Sequence, residues 1–142
     1  MKKLRYQHID FEQISRFLSG AEKKLASAKK ILALDEEAAY QLAYEAMLKG
    51  SLGFMLSFGV RPRSLPGHHI TIIEFAEEHL GKEFKSLTSM FNRMRRKRHE
   101  TIYAVSGFIS RQDAEHALET AGKYLEAIRE TIQKNNPQKK LF

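Results

Sequence analysis

The sequence predicts an all-α fold, an up-and-down bundle of four long helices plus one shorter helix. Apolar residues recur at steps of three and four along most of the chain, which places them on one face of a helix. Prolines, glycines and polar clusters divide these periodic stretches into five segments joined by short connections. The sequence has no convincing strand alternation, no glycine-rich phosphate loop and no internal repeat.

The first helix is predicted to begin at Asp10. Asp10 and Gln13 have the spacing of a capping box, in which the two side chains accept hydrogen bonds from free backbone N–H groups of the first turn. The apolar residues that follow are separated by alternating steps of three and four, which is a heptad-like stripe. They are Phe11, Ile14, Leu18, Ala21, Leu25, Ala28 and Leu32.

The second helix is predicted to begin at the acidic cluster 35–37, where the helix dipole favours negative charge, and to end at Gly59. Its predicted buried face contains many small residues, which allow a neighbouring helix to approach closely. This face consists of Ala39, Leu42, Ala43, Ala46, Gly50, Gly53 and Phe54. The pattern leaves open whether Ala46, Gly50 and Gly53 pack within the chain or across a dimer.

Two prolines and a glycine in VRPRSLPGHH end the second helix, and a shorter third helix is predicted from about His69 to Leu80, with Gly81 as its stop. Its predicted inward residues are Ile70, Ile73 and Ala76. The fourth helix is predicted from Phe84 to about Val105.

The fifth helix is predicted to begin at Ser110, because Ser110 and Asp113 form a second capping-box spacing. Its apolar stripe is Ala114, Ala117, Ala121, Leu125, Ile128 and Ile132. The chain of 142 residues fits one domain, with its core over about 9–134 and a basic C-terminal tail over 135–142.

Composition narrows the classes of function. The chain has no cysteine, which excludes disulfides and thiolate zinc sites. A formal net charge of +7 favours polyanions as partners. Since the sequence has no leader-like apolar run and no stretch long enough to span a membrane, we expect a soluble cytoplasmic protein with no membrane partner.

The stretch NRMRRKRHETIY, residues 92–103, carries the strongest functional signal. Counting along the fourth helix places Arg98 in line with the apolar stripe of Phe91 and Met94. An arginine in that row predicts either a buried structural ion pair or a functional arginine. Arg95, His99 and Tyr103 share a second face, while the basic residues further from the core are expected to be solvated. These are Arg93, Arg96 and Lys97.

These segments together resemble the HEPN domain, a small all-helical family often found beside minimal nucleotidyltransferases. The resemblance rests on order and spacing over about 9–134. A long first helix with an alanine-rich face comes first, and AAYQLAYEAMLKGSLGFMLSFG then ends in a glycine before a proline-containing loop. PGHHITIIEFA opens the third helix with a histidine, and LTSMFNRMRRKRHETIY precedes AEHALETAGKYLEAI.

The resemblance implies one of two activities. Many HEPN proteins are metal-independent ribonucleases, often toxins paired with a nucleotidyltransferase antitoxin, and others bind nucleotide or RNA without catalysis. Their active form is usually a homodimer. An arginine and a histidine, with four to six residues between them in sequence, lie at the dimer cleft. The arginine would stabilise charge on a phosphate, and the histidine would act as general acid or base.

Two registers of this motif compete in the sequence. In the first, Arg93 pairs with His99. In the second, which we favour because it uses the inward row, Arg98 takes the arginine position and Tyr103 stands where the histidine would be. That register gives a degenerate motif, since tyrosine is a poor base near neutral pH. The candidate catalytic residues are therefore Arg93, Arg98, His99 and Tyr103.

Further candidate residues for nucleotide or nucleic-acid binding are Arg95, Arg96, Lys97 and His69. The resemblance often places a histidine at the start of the third helix, where His69 is expected first as a cap or loop-packing residue and second as a ligand contact. His68 and His69 are adjacent and point apart, so no metal site and no cofactor are predicted.

The sequence thus predicts a homodimeric partner of a minimal nucleotidyltransferase that binds nucleotide or RNA, in a toxin–antitoxin-like module with a degenerate catalytic motif. Two alternatives remain open. One is an active metal-independent endoribonuclease that uses Arg93 or Arg98 with His99. The other is a helical interaction protein whose basic helix is only a solvated surface.

Overall fold

The computed structural model describes residues 3–63, 67–103 and 108–139, and within these ranges it confirms the all-α prediction. The helices are α1 (Phe11–Ile31), α2 (Glu36–Leu56), α3 (His68–Leu80), α4 (Lys85–Tyr103) and α5 (Arg111–Asn135), with a 3-10 turn at Lys82–Phe84 before α4. Four of these helices are long and α3 is the shorter one, as the sequence predicts.

The ends of the long helices are set by side chains. Asp10 accepts hydrogen bonds from the backbone N–H groups of Glu12 and Gln13 at 3.0 and 3.3 Å, so α1 begins as predicted. Asp35 caps α2 in the same way. The predicted capping box of Ser110 and Asp113 is present with both of its hydrogen bonds. Each such cap stabilises its helix by about 1 kcal/mol.

The apolar stripes of α1 and α5 are confirmed. On α1, five of the predicted residues are buried, and Phe11 and Leu32 at its ends are half-buried. All six predicted residues of α5 are buried. The two helices therefore present their apolar faces to a shared core, in which α2 contacts both of them.

Helix α2 is buried over more of its surface than the predicted face. Beyond the predicted face, the core includes Tyr40, Tyr44, Met47, Ser51, Met55 and Leu56, whereas Leu42 is only half-buried. The reason is that α2 packs against α1, α3, α4 and α5. Gln41, Glu45 and Lys49 form a half-buried polar row on its remaining side.

The glycines of α2 make its close contacts within the chain. A Cβ atom on Gly50 would overlap the Cδ2 atom of Leu125 on α5. On Gly53 it would lie 3.0 Å from the Cβ atom of Phe17 on α1. The open question of whether these small residues serve the monomer or a dimer is therefore settled for Gly50 and Gly53.

Helices α3 and α4 depart in detail from their predicted boundaries. Helix α3 begins one residue earlier than predicted, at His68. Ile70 is 41% exposed rather than inward, because the buried face of this short helix includes Ile72 and Phe75 instead. Phe84 lies in the 3-10 turn, and α4 ends at Tyr103. The predicted end at Val105 lies outside the described residues.

A short antiparallel ladder was not predicted. It joins β1 (Leu4–Tyr6) to β2 (Val60–Pro62), with Arg5 opposite Arg61. Gly59 has φ 74° in the turn before β2, three residues after α2 ends. The left-handed conformation explains a glycine here, because other residues rarely adopt it.

We predict that Gly50→Ala lowers the free energy of unfolding by about 1 to 2 kcal/mol, since overlap with Leu125 outweighs the gain in helix propensity. Gly122→Ala is the matched control in α5, because its nearest neighbour would lie at an ordinary 3.9 Å from the added Cβ. Gly122→Ala is expected to leave stability unchanged or to raise it by up to about 1 kcal/mol. Urea denaturation measures both, and equal effects would contradict the intrachain packing.

Candidate functional site

The basic stretch occupies the C-terminal half of α4, and its side chains differ in exposure. Arg93 and Arg96 are exposed, whereas Arg95, Lys97 and Arg98 are half-buried. The run is therefore not one uniform surface. Each half-buried cation lies against different groups, and these contacts decide what it can do.

Lys97 connects α4 to α5. Its Nζ atom lies 3.2 Å from a carboxylate oxygen of Asp113 and 5.0 Å from the ring centroid of Phe108. The hydrogen bond from the backbone N–H of Ser110, together with Lys97, lowers the pKa of the Asp113 carboxyl. The expectation that Lys97 is only solvated is thus wrong, because it joins α4 to the capped start of α5.

Arg98 lies half-buried against α2. Its guanidinium carbon is 5.5 Å from the ring centroid of Tyr44, within the range of a cation–π interaction. Its Nε atom is buried and has no hydrogen-bond partner, and the described residues offer Arg98 no ion pair. The described residues therefore supply no carboxylate for a structural ion pair at Arg98. Burying an unsatisfied N–H of a cation is unfavourable for folding.

His69 reaches the same place from α3. Its Nδ1 atom is 3.0 Å from the hydroxyl oxygen of Tyr44. Burial lowers the pKa of His69, and the charges of His68, Arg98 and Arg95 lower it further. Burial also raises the pKa of Tyr44 to about 12, so its hydroxyl stays protonated near neutral pH. We call Tyr44, His69, Arg95 and Arg98 the Arg98 cluster.

His69 does not cap α3, although a cap was one of the two structural roles expected of it. The N-cap position of α3 is Gly67, and no side chain caps this helix end. His69 is the second residue of the helix, and its ring points to Tyr44 on α2. The cluster is thus assembled from three helices, with Tyr44 at its centre.

Sequence reasoning missed Tyr44. The residue follows Ala43 in sequence but is not part of the predicted buried face, and an aromatic ring buried on a helix is expected to fill space. Its ring does so, since it lies 5.6 Å from the ring of Phe91. The signal that could have found it is a hydroxyl on a fully buried side chain, because a buried polar group needs a partner.

Arg93 belongs to a different surface. It lines a groove of about 300 Å³ between α4 and α5, together with His116 and Lys123. Five residues along a helix correspond to a rotation of about 140°. The two arginines of the competing registers therefore lie on different sides of α4, and only Arg98 contacts Tyr44.

The remaining candidates lie around the Arg98 cluster or beyond it. Arg95 donates from Nε to the side-chain oxygen of Asn92 at 3.0 Å, and Arg96 is solvent-exposed. His99 follows Arg98 directly and is exposed. Tyr103 is the last residue of α4, and its side chain lies outside the described part of the structure.

The described residues contain no metal-ligand cluster and no membrane-spanning helix. Over residues 3–63, 67–103 and 108–139, no three histidine or carboxylate side chains are grouped as metal ligands would be. Among the helices described there, none is long and apolar enough to cross a membrane.

Comparison with known proteins identifies the fold family. A family model described as HEPN domain matches residues 14–131, which is more than half of the chain. No match was found among curated proteins or among solved structures.

We predict that Arg98→Met leaves the free energy of unfolding unchanged or raises it, because methionine keeps the contact with Tyr44 and removes the unsatisfied N–H. Lys97→Met is the matched control on the same helix. It is expected to lower the free energy of unfolding by about 0.5 to 1 kcal/mol, because the ion pair with Asp113 is lost. Thermal and urea denaturation test this. A larger loss in Arg98→Met than in Lys97→Met would show that Arg98 is structural.

Proposed function

The chain belongs to the HEPN domain family, and we propose that it is a homodimeric module that binds the phosphates of nucleotide or RNA through Arg98. Its partner in this proposal is a minimal nucleotidyltransferase, with which it forms a toxin–antitoxin-like pair. The family resemblance supports the partner and the dimer, and the contacts of Arg98 support the ligand.

The state of Arg98 is the observation that carries the proposal. The Nε–H of Arg98 is buried and has no acceptor among the described residues, and an unsatisfied buried donor is unfavourable for folding. A bound phosphate would supply the missing acceptor. Guanidinium groups suit this role, because they stay charged and can donate two parallel hydrogen bonds to a phosphate.

The surrounding charge supports the same class of ligand. The chain carries a formal net charge of +7, and Arg95 lies beside Arg98 on α4, while Arg96 is an exposed charge elsewhere on the same helix. Such a field attracts polyanions over a distance of about 10 Å at moderate salt. Exposed cations then add affinity without sequence preference, while Arg98 fixes where a phosphate sits.

The degenerate motif favours binding over catalysis. In the register that uses Arg98, the position of the general acid or base holds Tyr103. A tyrosine hydroxyl has an ordinary pKa near 10, so it is a weak base at neutral pH. The proposal therefore assigns Arg98 to phosphate binding and leaves Tyr103 without a proton-transfer role.

A second candidate is metal-independent cleavage of RNA. The observation in its favour is that two histidines lie beside Arg98, with His69 in the cluster and His99 next in sequence. In such a reaction a ribose 2′-hydroxyl loses its proton to a histidine and attacks the adjacent phosphorus. The bond to the 5′ oxygen breaks, and that oxygen takes a proton from water.

We predict that Arg98→Ala weakens binding of labelled RNA and of ATP about 10- to 100-fold, as expected for loss of one charge-assisted contact of 1.5 to 3 kcal/mol. Arg96→Ala is the control, since it removes an exposed charge from the same helix. It is expected to weaken RNA binding only slightly and mainly at low salt. Fluorescence anisotropy at several salt concentrations measures both variants, and equal affinities of Arg98→Ala and wild type would refute the proposal.

Light scattering on the same samples tests the homodimer. We expect two protomers per particle at micromolar concentration, both free and with RNA bound. A monomer under both conditions would remove the shared cleft from the proposal, while the effect of Arg98→Ala on binding would still test the phosphate site.

We predict that purified protein leaves RNA uncut in the presence of EDTA, because the motif lacks its histidine in the favoured register. Gel analysis of total RNA over several hours measures this outcome. Cleavage that is abolished in His99→Ala or His69→Ala would instead establish the second candidate. Cleavage that survives in both variants would indicate a contaminating nuclease.

A further inference from the structure

We infer that a phosphodiester binds at the junction of α3 and α4, between His69 and Arg98, and that His69 takes up a proton when it binds. This inference rests on the proposed function and adds to it the second contact residue, the chemical class of ligand and a dependence on pH. Tyr44 acts here as a positioning residue, because it touches His69 and Arg98 rather than the ligand.

The contacts of Tyr44 relate two features of this junction, since Tyr44 touches both Arg98 and His69 near the start of α3. The first is the buried Nε atom of Arg98, which has no acceptor within the described residues. The second is the start of α3, where no side chain caps the free backbone N–H groups behind Gly67. Helix N-termini favour anions, because their free N–H groups and the helix dipole carry partial positive charge. Together they provide donors from two helices and no carboxylate among the described groups that act on His69.

The hydroxyl of Tyr44 fixes the histidine. Its oxygen lies 3.0 Å from Nδ1 of His69, so this nitrogen is occupied and Nε2 is the atom left to face a ligand. The ring of Tyr44 lies under the guanidinium of Arg98 at 5.5 Å. One fully buried side chain thus holds both phosphate contacts in a fixed relation.

The groups around His69 make its charge sensitive to an anion. It faces Tyr44 on α2, His68 on α3, and Arg95 and Arg98 on α4. No carboxylate is among the described groups that act on its pKa, and burial and the nearby cations lower that pKa. Before binding, His69 is therefore neutral at pH 7.

A bound phosphodiester reverses this balance. Its negative charge offsets Arg95 and Arg98 and lies next to the imidazole, so the protonated form of His69 becomes favourable. The pKa of His69 is then higher in the complex than in the free protein. Because the complex binds more protons than the free protein, affinity increases as pH falls through the interval between the two pKa values.

The test uses a short unstructured oligoribonucleotide with free hydroxyls at both ends. Its phosphodiesters do not titrate between pH 5 and 8, so a pH effect on affinity in this range comes from the protein. We expect the wild-type affinity to rise as pH falls from 8 to 5, by up to about tenfold per pH unit, the limit for one proton. AMP, as a phosphate monoester, shows whether a terminal phosphate suffices.

Three variants separate the contributions. His69→Gln is expected to lose most of the pH dependence, and His99→Gln, which alters an exposed histidine on α4, is expected to keep it. Tyr44→Phe retains the ring below Arg98 and removes the hydroxyl, so the pH dependence is expected to shift or weaken. NMR titration of the histidine side chains gives the pKa of His69 directly, with and without the oligoribonucleotide.

The outcomes distinguish this inference from the proposed function. If Arg98→Ala weakens binding but His69→Gln keeps the wild-type pH profile, the inference is wrong and the proposed function stands. An NMR pKa of His69 that does not change on binding has the same meaning. If Arg98→Ala binds as tightly as wild type, or if wild type does not bind the oligoribonucleotide, both are wrong.

Discussion

The close packing of α2 against its neighbours is the constraint on which the candidate site depends. Gly50 allows α5 to approach α2, and Gly53 does the same for α1. With α3 and α4 also in contact, α2 buries the side that carries Tyr44. Tyr44 is therefore fully buried, and its hydroxyl must find a partner inside the protein. That partner is His69, so the packing of one helix determines where a histidine from another is held.

Buried polar groups elsewhere show how unusual Arg98 is. The hydroxyl of Ser51 bonds to the carbonyl of Met47 at 2.7 Å and to the hydroxyl of Tyr124 at 2.6 Å. Thr101 bonds to the carbonyl of Lys97 at 2.7 Å. Across the described ranges, the Nε atom of Arg98 is the one buried side-chain nitrogen or oxygen that has no partner. Arg98 therefore differs from Ser51 and Thr101, whose buried hydroxyls have their partners inside the fold.

The sequence predicts those features that depend on neighbours along the chain. The caps at Asp10 and Ser110 and the stripes of α1 and α5 follow from local spacing, and so does the row that contains Arg98; the acidic cluster 35–37 predicts the start of α2. The exposed Ile70 was mispredicted, because a helix of 13 residues offers too few turns to define its buried face.

Features that depend on distant residues could not be predicted in this way. The pairing of Leu4–Tyr6 with Val60–Pro62 involves strands too short to show alternation. The contact of Tyr44 with His69 joins two helices across a loop, and no periodicity within either helix encodes it. For the candidate site, the sequence therefore predicts the inward position of Arg98 and a histidine at the start of α3. It does not predict that Tyr44 connects these two residues, because that contact depends on the fold.

Two neighbouring cations on α4, Lys97 and Arg98, have different surroundings. Lys97 and Arg98 follow each other in sequence and are both half-buried, but a helix turns about 100° per residue, so they face different partners. Lys97 meets a carboxylate at the start of α5, and its charge is used to join two helices. Arg98 meets an aromatic face, which tolerates a cation but leaves its Nε–H without an acceptor among the described residues. A phosphate contact at Arg98, as proposed, breaks no ion pair of the described residues, whereas one at Lys97 competes with Asp113.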